Sequence, residues 1–366
     1  MKADPLEAKR STEGMVDYDK NSPVQQNMVR QHGGLIRGLV ERLGRVEPEL
    51  KIVDYGCGPG SSAIDSVTPA IEAYRASFAD APIAVCHADQ PGNDWNALFA
   101  LAAGPKGYME GASALRSEAA IGSFYDQMAA GGTVALGTCF AACHWLSHAV
   151  RLKAPGTVWF ADLEGDARAE MAAFARRDWT QFLRCRAAEL RPGGFLLIST
   201  LGAVPDPAEI NGAAASGRGI YRALQAVAQE MADDGLIDRA ILDGFLFSLW
   251  FMTEDETRAP LEAESDLAAA FEIETLGVTP APVNPRDIFG GALDDPAEYA
   301  RLYVGYSRAF GDSTLRRQLF EPSAGEAAGA ERLAQEFYRR LDRLYRTHLA
   351  TYACEVWHMS ILLRRR

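Results

Sequence analysis

Ile52-Val53-Asp54-Tyr55-Gly56-Cys57-Gly58-Pro59-Gly60 runs two apolar residues into an acid and then into a Gly-x-Gly turn. A buried strand that ends this way places backbone without Cβ atoms, at Gly56 and Gly58, where a ligand can approach closely. A second apolar run, Pro82-Ile83-Ala84-Val85-Cys86-His87, leads into Ala88-Asp89-Gln90-Pro91-Gly92-Asn93-Asp94-Trp95-Asn96, with Asp89 following Asp54 by 35 residues. An acid at the end of the second strand of a doubly wound sheet is placed to hold ribose hydroxyls. Together the two segments imply a nucleoside pocket.

Working outward, strand-like runs recur at 51–55, 83–88, 133–139, 194–200, 270–278 and 354–363, with helix-like segments between the first four. This alternation predicts an α/β fold with a mainly parallel sheet. Apolar residues fall at helical intervals from Gln25 to Leu43, Ser66 to Phe78 and Leu163 to Leu190, the last ending at a turn, Arg191-Pro192-Gly193-Gly194, before Phe195-Leu196-Leu197-Ile198. From Val204 the pattern changes to helices broken by acidic turns and an aromatic run, Phe245-Leu246-Phe247-Ser248-Leu249-Trp250-Phe251, suited to a cap over the open end of the sheet. Further helices are expected near Glu298 to Phe310 and from Glu331 to Leu349. The predicted organisation is a core over 1–204, a helical cap over 205–265, a core strand within 266–282, cap again over 283–330, and a helix and strand over 331–366 that return to the core.

Composition narrows the partners. The chain of 366 residues is 48% hydrophobic and carries a formal charge of −12, so it lacks the basic field that nucleic acid or an anionic membrane favours. Small molecules are the expected partners. No window approaches 18 consecutive apolar residues and the first 20 lack the apolar core of a signal peptide, so a cytoplasmic protein is expected. Six scattered cysteines contain no Cys-x-x-Cys pair; the Cys139-x-x-x-Cys143-His144 cluster lacks the further ligands a structural zinc needs, and no metal site is assigned.

The glycine turn alone would also suit NAD or FAD. A dinucleotide fingerprint, however, wants its last glycine where Ser61 stands, and here the acid precedes the glycines on the strand itself. That favours a cofactor without pyrophosphate, such as S-adenosylmethionine. Near the N-terminus, Asp17-Tyr18-Asp19-Lys20-Asn21-Ser22-Pro23-Val24-Gln25 reads as a helix start, with Ser22 as N-cap, Pro23 at the first position and Gln25 closing a capping box. Capping does not account for Tyr18, and the alternative is a lid across the cofactor. In Thr138-Cys139-Phe140-Ala141-Ala142-Cys143-His144-Trp145-Leu146-Ser147 the aromatic residues suit either core or pocket. Trp145 offers an N–H and no acceptor, and Gln25 an amide, so the pair can clasp a carboxylate without neutralising it.

Taken in order, these blocks resemble the SABATH methyltransferases, the family of salicylate, benzoate, jasmonate and indole-acetate carboxyl methyltransferases and caffeine-pathway enzymes. The resemblance runs nearly end to end: Tyr18 with Asn21-Ser22-x-x-Gln25, Asp54-x-Gly-Cys, Asp89-x-Pro-Gly-Asn-Asp-x-Asn96, Gly122-Ser123-Phe124-Tyr125, His144-Trp145-Leu146-Ser147, Arg191-Pro192-Gly193-Gly194, Gly235-Leu236-Ile237 and Asp243-x-Phe245. It implies a Rossmann-like class I methyltransferase sheet with an inserted, mostly helical cap, and a homodimer. It also implies S-adenosylmethionine as methyl donor, held by Tyr18, Ser22, Asp54, Gly56, Gly58, Asp89, Gln90, Ser123, Phe124 and Cys139. By the same resemblance Gln25 and Trp145 position the acceptor carboxylate, with His144, Phe245 and Trp250 beside it.

The implied reaction is methylation of a small aromatic, indolic or terpenoid acid to its methyl ester, with S-adenosylhomocysteine as co-product and no general base. Magnesium stimulation is allowed by the resemblance but no ligand cluster places an ion. N- or O-methylation of a heterocycle or phenol, a non-catalytic binding relative and a dehydrogenase are the alternatives. Departures from the family pattern include Ala141, which stands where the family usually has Tyr and widens the pocket there, and Gly58-Pro59-Gly60 in the first loop.

Overall fold

The computed structural model describes residues 23–110, 114–204 and 216–366. The chain begins with α1 (Pro23–Gln31) and α2 (Gly33–Leu43), then β1 (Leu50–Tyr55), α3 (Ser61–Ser77), β2 (Ile83–Asp89), α4 (Trp95–Ala103), β3 (Leu115–Ile121) and β4 (Val134–Phe140). It continues through α5 (Gly165–Glu189), β5 (Leu190–Leu201), α6 (Arg218–Asp233), α7 (Arg239–Leu242), α8 (Glu254–Ala263) and α9 (Ser265–Ala270). The last part comprises β6 (Phe271–Pro280), α10 (Pro285–Gly290), α11 (Pro296–Leu315), a π-helical turn (Arg316–Phe320), α12 (Glu321–Ala324), α13 (Ala327–Thr347) and β7 (Trp357–Arg365).

Seven strands form one sheet in the order β3-β2-β1-β4-β5-β7-β6, parallel except that β7 runs antiparallel to both of its neighbours. The architecture is the α/β sheet expected from the alternating pattern. Buried strands on such a sheet are apolar on both faces, and β2 and β4 are buried throughout. Ile52 and Leu136 face a core with α2 and α3, whereas Val53, Tyr55 and Ile198 face α5 and the aromatic cap. The chain leaves β1 toward β2 on one side while β4 lies on the other. This reversal opens a crevice beyond the carboxyl ends of β1 and β4, where ligands of such sheets bind.

β3 has no counterpart among the expected strands. It is an edge strand whose Arg116 and Glu118 are exposed or half-exposed and pair with each other, and with Glu49 and Lys51 of neighbouring backbone. Leu-Arg-Ser-Glu-Ala-Ala-Ile carries helix-forming residues and little apolar alternation, which an edge tolerates because only one side must pair. The helical run from Gln25 to Leu43 is divided at His32, whose Nδ1 lies 2.7 Å from the Met28 carbonyl. The glycine turn expected before Phe195 is instead the irregular beginning of β5, with Gly193 at φ +79°.

The aromatic run crosses the open end of the sheet by short backbone pairings. Trp145 bridges Leu249, Gly202 bridges Met252, Leu146 N–H donates to the Ser248 carbonyl (2.8 Å) and Trp250 N–H to the His144 carbonyl (2.8 Å). Helix α11 starts at an Asp295 cap that accepts from the N–H groups of Ala297 and Glu298, with Pro296 at its first position. Helix α13 packs on α11 and α6, so it sits among the cap helices.

Candidate active site

At the carboxyl end of β1 the backbone turns through Gly56 (φ +73°) and Gly58 (φ +65°). A Cβ on Gly56 would stand 2.3 Å from the Ala142 Cβ, so glycine there lets the β1 and β4 turns meet. The Asp89 carboxylate is gripped by backbone: Oδ2 accepts from Gly58 N–H and Oδ1 from Gln90 N–H, both at 2.7 Å. Burial raises its pKa above the ordinary value, while these two N–H groups pull in the opposite direction. Asn93 secures the same turn by donating to the Gly58 carbonyl (3.2 Å).

These groups border a cavity of ≈ 420 Å³, whose walls include Gly56, Gly58, Asp89, Gln90, Ser123 and Phe124. That size suits a nucleoside-bearing ligand. The Phe124 wall belongs to the loop after β3 and is fixed from behind. Arg186 of α5, fully buried, donates to the carbonyls of Phe124 (2.6 Å) and Asp126 (2.8 Å) and pairs with buried Glu189 (2.9 Å). Glu189 also accepts from the Tyr55 hydroxyl (2.5 Å) and from the N–H groups of Met128 and Ala129. The Arg186 guanidinium lies 3.9 Å from the centre of the Tyr55 ring, a cation–π contact.

A second, narrower chamber of ≈ 40 Å³ adjoins the first, and Ala141 and Trp145 belong to the walls of both. Its other walls come from Gln25, His144, Tyr221, Phe251, Tyr306 and Phe310, with Ile220, Leu201, Gly217, Cys354 and Val356. None of these described lining residues carries a formal charge at neutral pH. His144 is buried against Thr200, with Nδ1 2.9 Å from the hydroxyl, and burial lowers its pKa to about 3. It is therefore a neutral wall. Tyr125 links the two compartments by donating to the Trp145 carbonyl (2.5 Å).

Of the residues singled out from sequence, Gly56, Gly58, Asp89, Gln90, Ser123 and Phe124 meet at the large cavity, and Gln25, His144 and Trp145 at the narrow one. Tyr18 and Ser22 lie outside the described residues. Four placements differ. Asp54 is not in the cavity wall; its buried carboxylate accepts from the Thr138 hydroxyl (2.8 Å), and burial pushes its pKa to about 7. Cys139 is wholly buried within β4, and burial pushes its thiol well above the ordinary range. Phe245 packs on Phe247 in the cap interior. Trp250 points away from the chamber, donating from Nε1 to Glu256 (3.2 Å) and stacking near Arg168, so Phe251 is the member of the run that faces the acceptor side.

Sequence reasoning did not single out Tyr221, Phe251, Tyr306 and Phe310 for the chamber, or Arg186 and Glu189 behind the cavity. Tyr306 and Phe310 stand four apart on one helix face, a spacing that equally describes an ordinary core stripe. Arg186 and Glu189 stand three apart on α5, which reads as a solvated pair.

Among the described residues no group of three or more His, Cys, Asp or Glu is arranged to hold a metal ion. Nor is any described helix long and apolar enough to cross a membrane.

The model of the SAM-dependent carboxyl methyltransferase family matches residues 8–366. Indole-3-acetate O-methyltransferase 1 of Oryza sativa subsp. japonica is 27% identical over 331 residues, 81% of this chain and 75% of that protein. Gibberellic acid methyltransferase 1 of Arabidopsis thaliana is 27% identical over 280 residues, 71% of this chain and 72% of its own length. With gibberellic acid methyltransferase 2 of the same plant the match is 26% identical and spans 59% of that relative. A solved loganic acid methyltransferase with SAH shares the fold at a TM-score of 0.73 and 18% identity, covering 97% of this chain and 98% of that one. The chain belongs to the SAM-dependent carboxyl methyltransferases, enzymes of the SABATH type that esterify small carboxylic acids with S-adenosylmethionine as methyl donor.

Proposed function

We propose that this enzyme methylates the carboxylate of a small, largely apolar acid of the aromatic, indolic or terpenoid kind, with Gln25 and Trp145 as positioners. The observation that carries this reading is the shared wall: Ala141 and Trp145 join a nucleoside-sized cavity to an apolar chamber that carries an amide and no charged side chain among its described lining. The named relatives that act on indole-3-acetate and gibberellic acid support the same class.

The residues around the large cavity fit the adenosyl group of the donor. Asp89, held by backbone N–H groups, would receive the ribose hydroxyls, Gln90 and Phe124 would flank the adenine, and Gly56 and Gly58 would let the backbone come close. When bound there, S-adenosylmethionine supplies an electrophilic methyl on a sulfonium. Transfer would form a C–O bond to a carboxylate oxygen of the acid as the S–C bond breaks, leaving the methyl ester and S-adenosylhomocysteine. A carboxylic acid with a pKa near roughly 4 is already ionised at neutral pH, so no proton has to be removed. Neutral His144 is consistent with that requirement. A Lys or Arg in the chamber would stabilise the carboxylate in the ground state, whereas the reaction discharges both partners. The protein's tasks are alignment by Gln25 and Trp145 and exclusion of water by Tyr221, Phe251 and Phe310.

The same reading retains the core and cap division at 204 and 265, and treats the working form as a cytoplasmic homodimer, which light scattering would test. The experiment for the reaction is a methyl-transfer screen with labelled S-adenosylmethionine against aromatic, indolic and terpenoid acids, each beside its amide and phenol analogues. Turnover of one acid class with silent amides is expected. Turnover of amines or phenols alone would overturn the carboxylate assignment.

A further inference from the structure

In the chamber, Gln25 Nε2 donates to the Tyr306 hydroxyl (3.2 Å), which leaves Gln25 Oε1 buried without a hydrogen-bond partner. A buried amide oxygen without a donor is costly, and here it borders the acceptor chamber. In this orientation the amide would repel an ionised acid and suit an N–H or O–H donor instead. A half-turn of the amide exchanges the two ends with almost no change of shape. Oε1 then accepts from the Tyr306 O–H, and both hydrogens of Nε2 face the chamber. A phenolic hydroxyl can both accept and donate, so Tyr306 can pair with either end of the amide.

We infer that Tyr306 is a positioning residue for carboxyl methylation: its hydroxyl holds the turned amide of Gln25, so that Nε2 points at the acceptor carboxylate. This rests on the carboxylate reading above. Tyr306 comes from α11 and Gln25 from α1, 281 residues away, so the pair also ties the cap to the N-terminal helix across the chamber. The Tyr306 ring is held independently of its hydroxyl, against Phe289 (5.8 Å between centres) and Phe310 (5.7 Å). Tyr306→Phe therefore removes the hydroxyl, and with it the bond to Gln25, and keeps the ring packing.

The test uses the full-length enzyme saturated with S-adenosylhomocysteine, titrated calorimetrically with whichever acid the screen finds best. Tyr306→Phe should weaken acid binding about tenfold, the scale of one buried hydrogen bond. Affinity for S-adenosylhomocysteine should stay at the wild-type value, and the melting temperature should fall by no more than a few degrees, the scale of one hydrogen bond. In a Gln25→Leu background Tyr306→Phe should cost nothing further, because its effect passes through the amide. Gln25→Glu, with Tyr306 intact, should weaken acid binding by on the order of a hundredfold or more, since oxygens replace the required donor. An unchanged acid affinity in Tyr306→Phe, full multiplication of the two losses in the double variant, or retained binding in Gln25→Glu would overturn the assignment. A screen in which no acid reacts overturns the carboxylate reading itself and removes this inference with it; turnover by wild type together with an unchanged acid affinity in Tyr306→Phe sinks this inference alone.

Discussion

The two compartments share Ala141 and Trp145 but are built on opposite plans. The large cavity is made at strand ends: β1, β2 and β4 deliver Gly56, Gly58, Asp89 and Ala142 through their own turns, and backbone N–H groups do the holding. The narrow chamber is made from single side chains lent by distant elements, Gln25 from α1, Tyr221 from α6, Phe251 from the aromatic run, and Tyr306 and Phe310 from α11. A ligand that never changes can be met by backbone fixed in the sheet. An acceptor that differs between enzymes is better met by side chains on cap elements, each replaceable without disturbing the sheet.

The most severe way to break the first plan is Arg186→Met. Glu189 would keep its bonds from Tyr55, Met128 and Ala129 but lose its buried counter-charge, and the carbonyls of Phe124 and Asp126 would lose their donor. Removing one partner of a buried ion pair costs about 3–5 kcal/mol. Urea unfolding should show a loss of that size, accompanied by weaker cofactor binding as the Phe124 wall loosens. A midpoint close to wild type would mean that the loop stands without the pair. On the other side of the wall, Trp145→Ala should lower kcat/KM for the acid by roughly a hundredfold while affinity for S-adenosylhomocysteine stays within about threefold, because the Trp145 carbonyl that receives Tyr125 remains. Equal losses for both ligands would show that the compartments do not act separately.

The contrast also decides what was legible in the sequence. The cofactor side could be read because Gly56-x-Gly58 and Asp89 lie in contiguous segments whose local geometry is dictated by strand ends. Asp54 belongs to the same contiguous segment, yet it is absent from the cavity wall, and its carboxylate accepts from the Thr138 hydroxyl, a partner from β4 that the local motif does not reveal. On the acceptor side Gln25 and Trp145 could be read from their donor chemistry and His144 from resemblance, whereas Phe245 and Trp250 lie outside the chamber wall because of the register of the aromatic run. That register is set by pairing with His144 to Leu146, a contact between segments about a hundred residues apart in the chain that no periodicity announces. Tyr306 was illegible for the same reason. Strand β3 was missed because an exposed edge needs no apolar alternation.

Asp54 sharpens the comparison on the cofactor side. Burial raises its pKa from 3.8 to about 7. Across that window the folded protein holds a proton that the unfolded chain has released, so its contribution to stability falls as pH rises from about 4 to about 7 and is level above. Buried His87 and His144, lowered to about 4 and about 3, act in the opposite sense, destabilising the fold as pH drops below about 6.5. Wild type alone therefore shows a compound curve, and the difference between Asp54→Asn and wild type isolates the acid. Asn keeps an oxygen for the Thr138 hydroxyl and carries no charge. The difference should move in favour of Asn by on the order of 4 kcal/mol between pH 4 and pH 7 and then level, from a starting value at pH 4 set by the partners the new amide hydrogens find. A flat difference would mean that Asp54 is no more burdened than an exposed acid.

Ala141 tests the shared wall itself, with the smallest expected effect. It holds φ +51°, a left-handed conformation that costs a non-glycine residue about 1 kcal/mol, and its N–H donates to the Ser199 carbonyl (2.8 Å). Ala141→Gly relieves that conformational cost and returns a similar amount as backbone entropy of the unfolded chain, so unfolding free energy should move by less than about 1 kcal/mol. Acid kcat/KM should likewise change less than threefold, because removing one methyl group from the wall leaves Trp145 and the Ser199 tether in place. A large gain in stability would show that the strain at this turn exceeds the ordinary left-handed cost, held in place by the need to bring Ala142 against Gly56. A large loss of activity with unchanged stability would give the Ala141 methyl a contact of its own with the acid, making the common wall a third element of selectivity beside the amide and the indole.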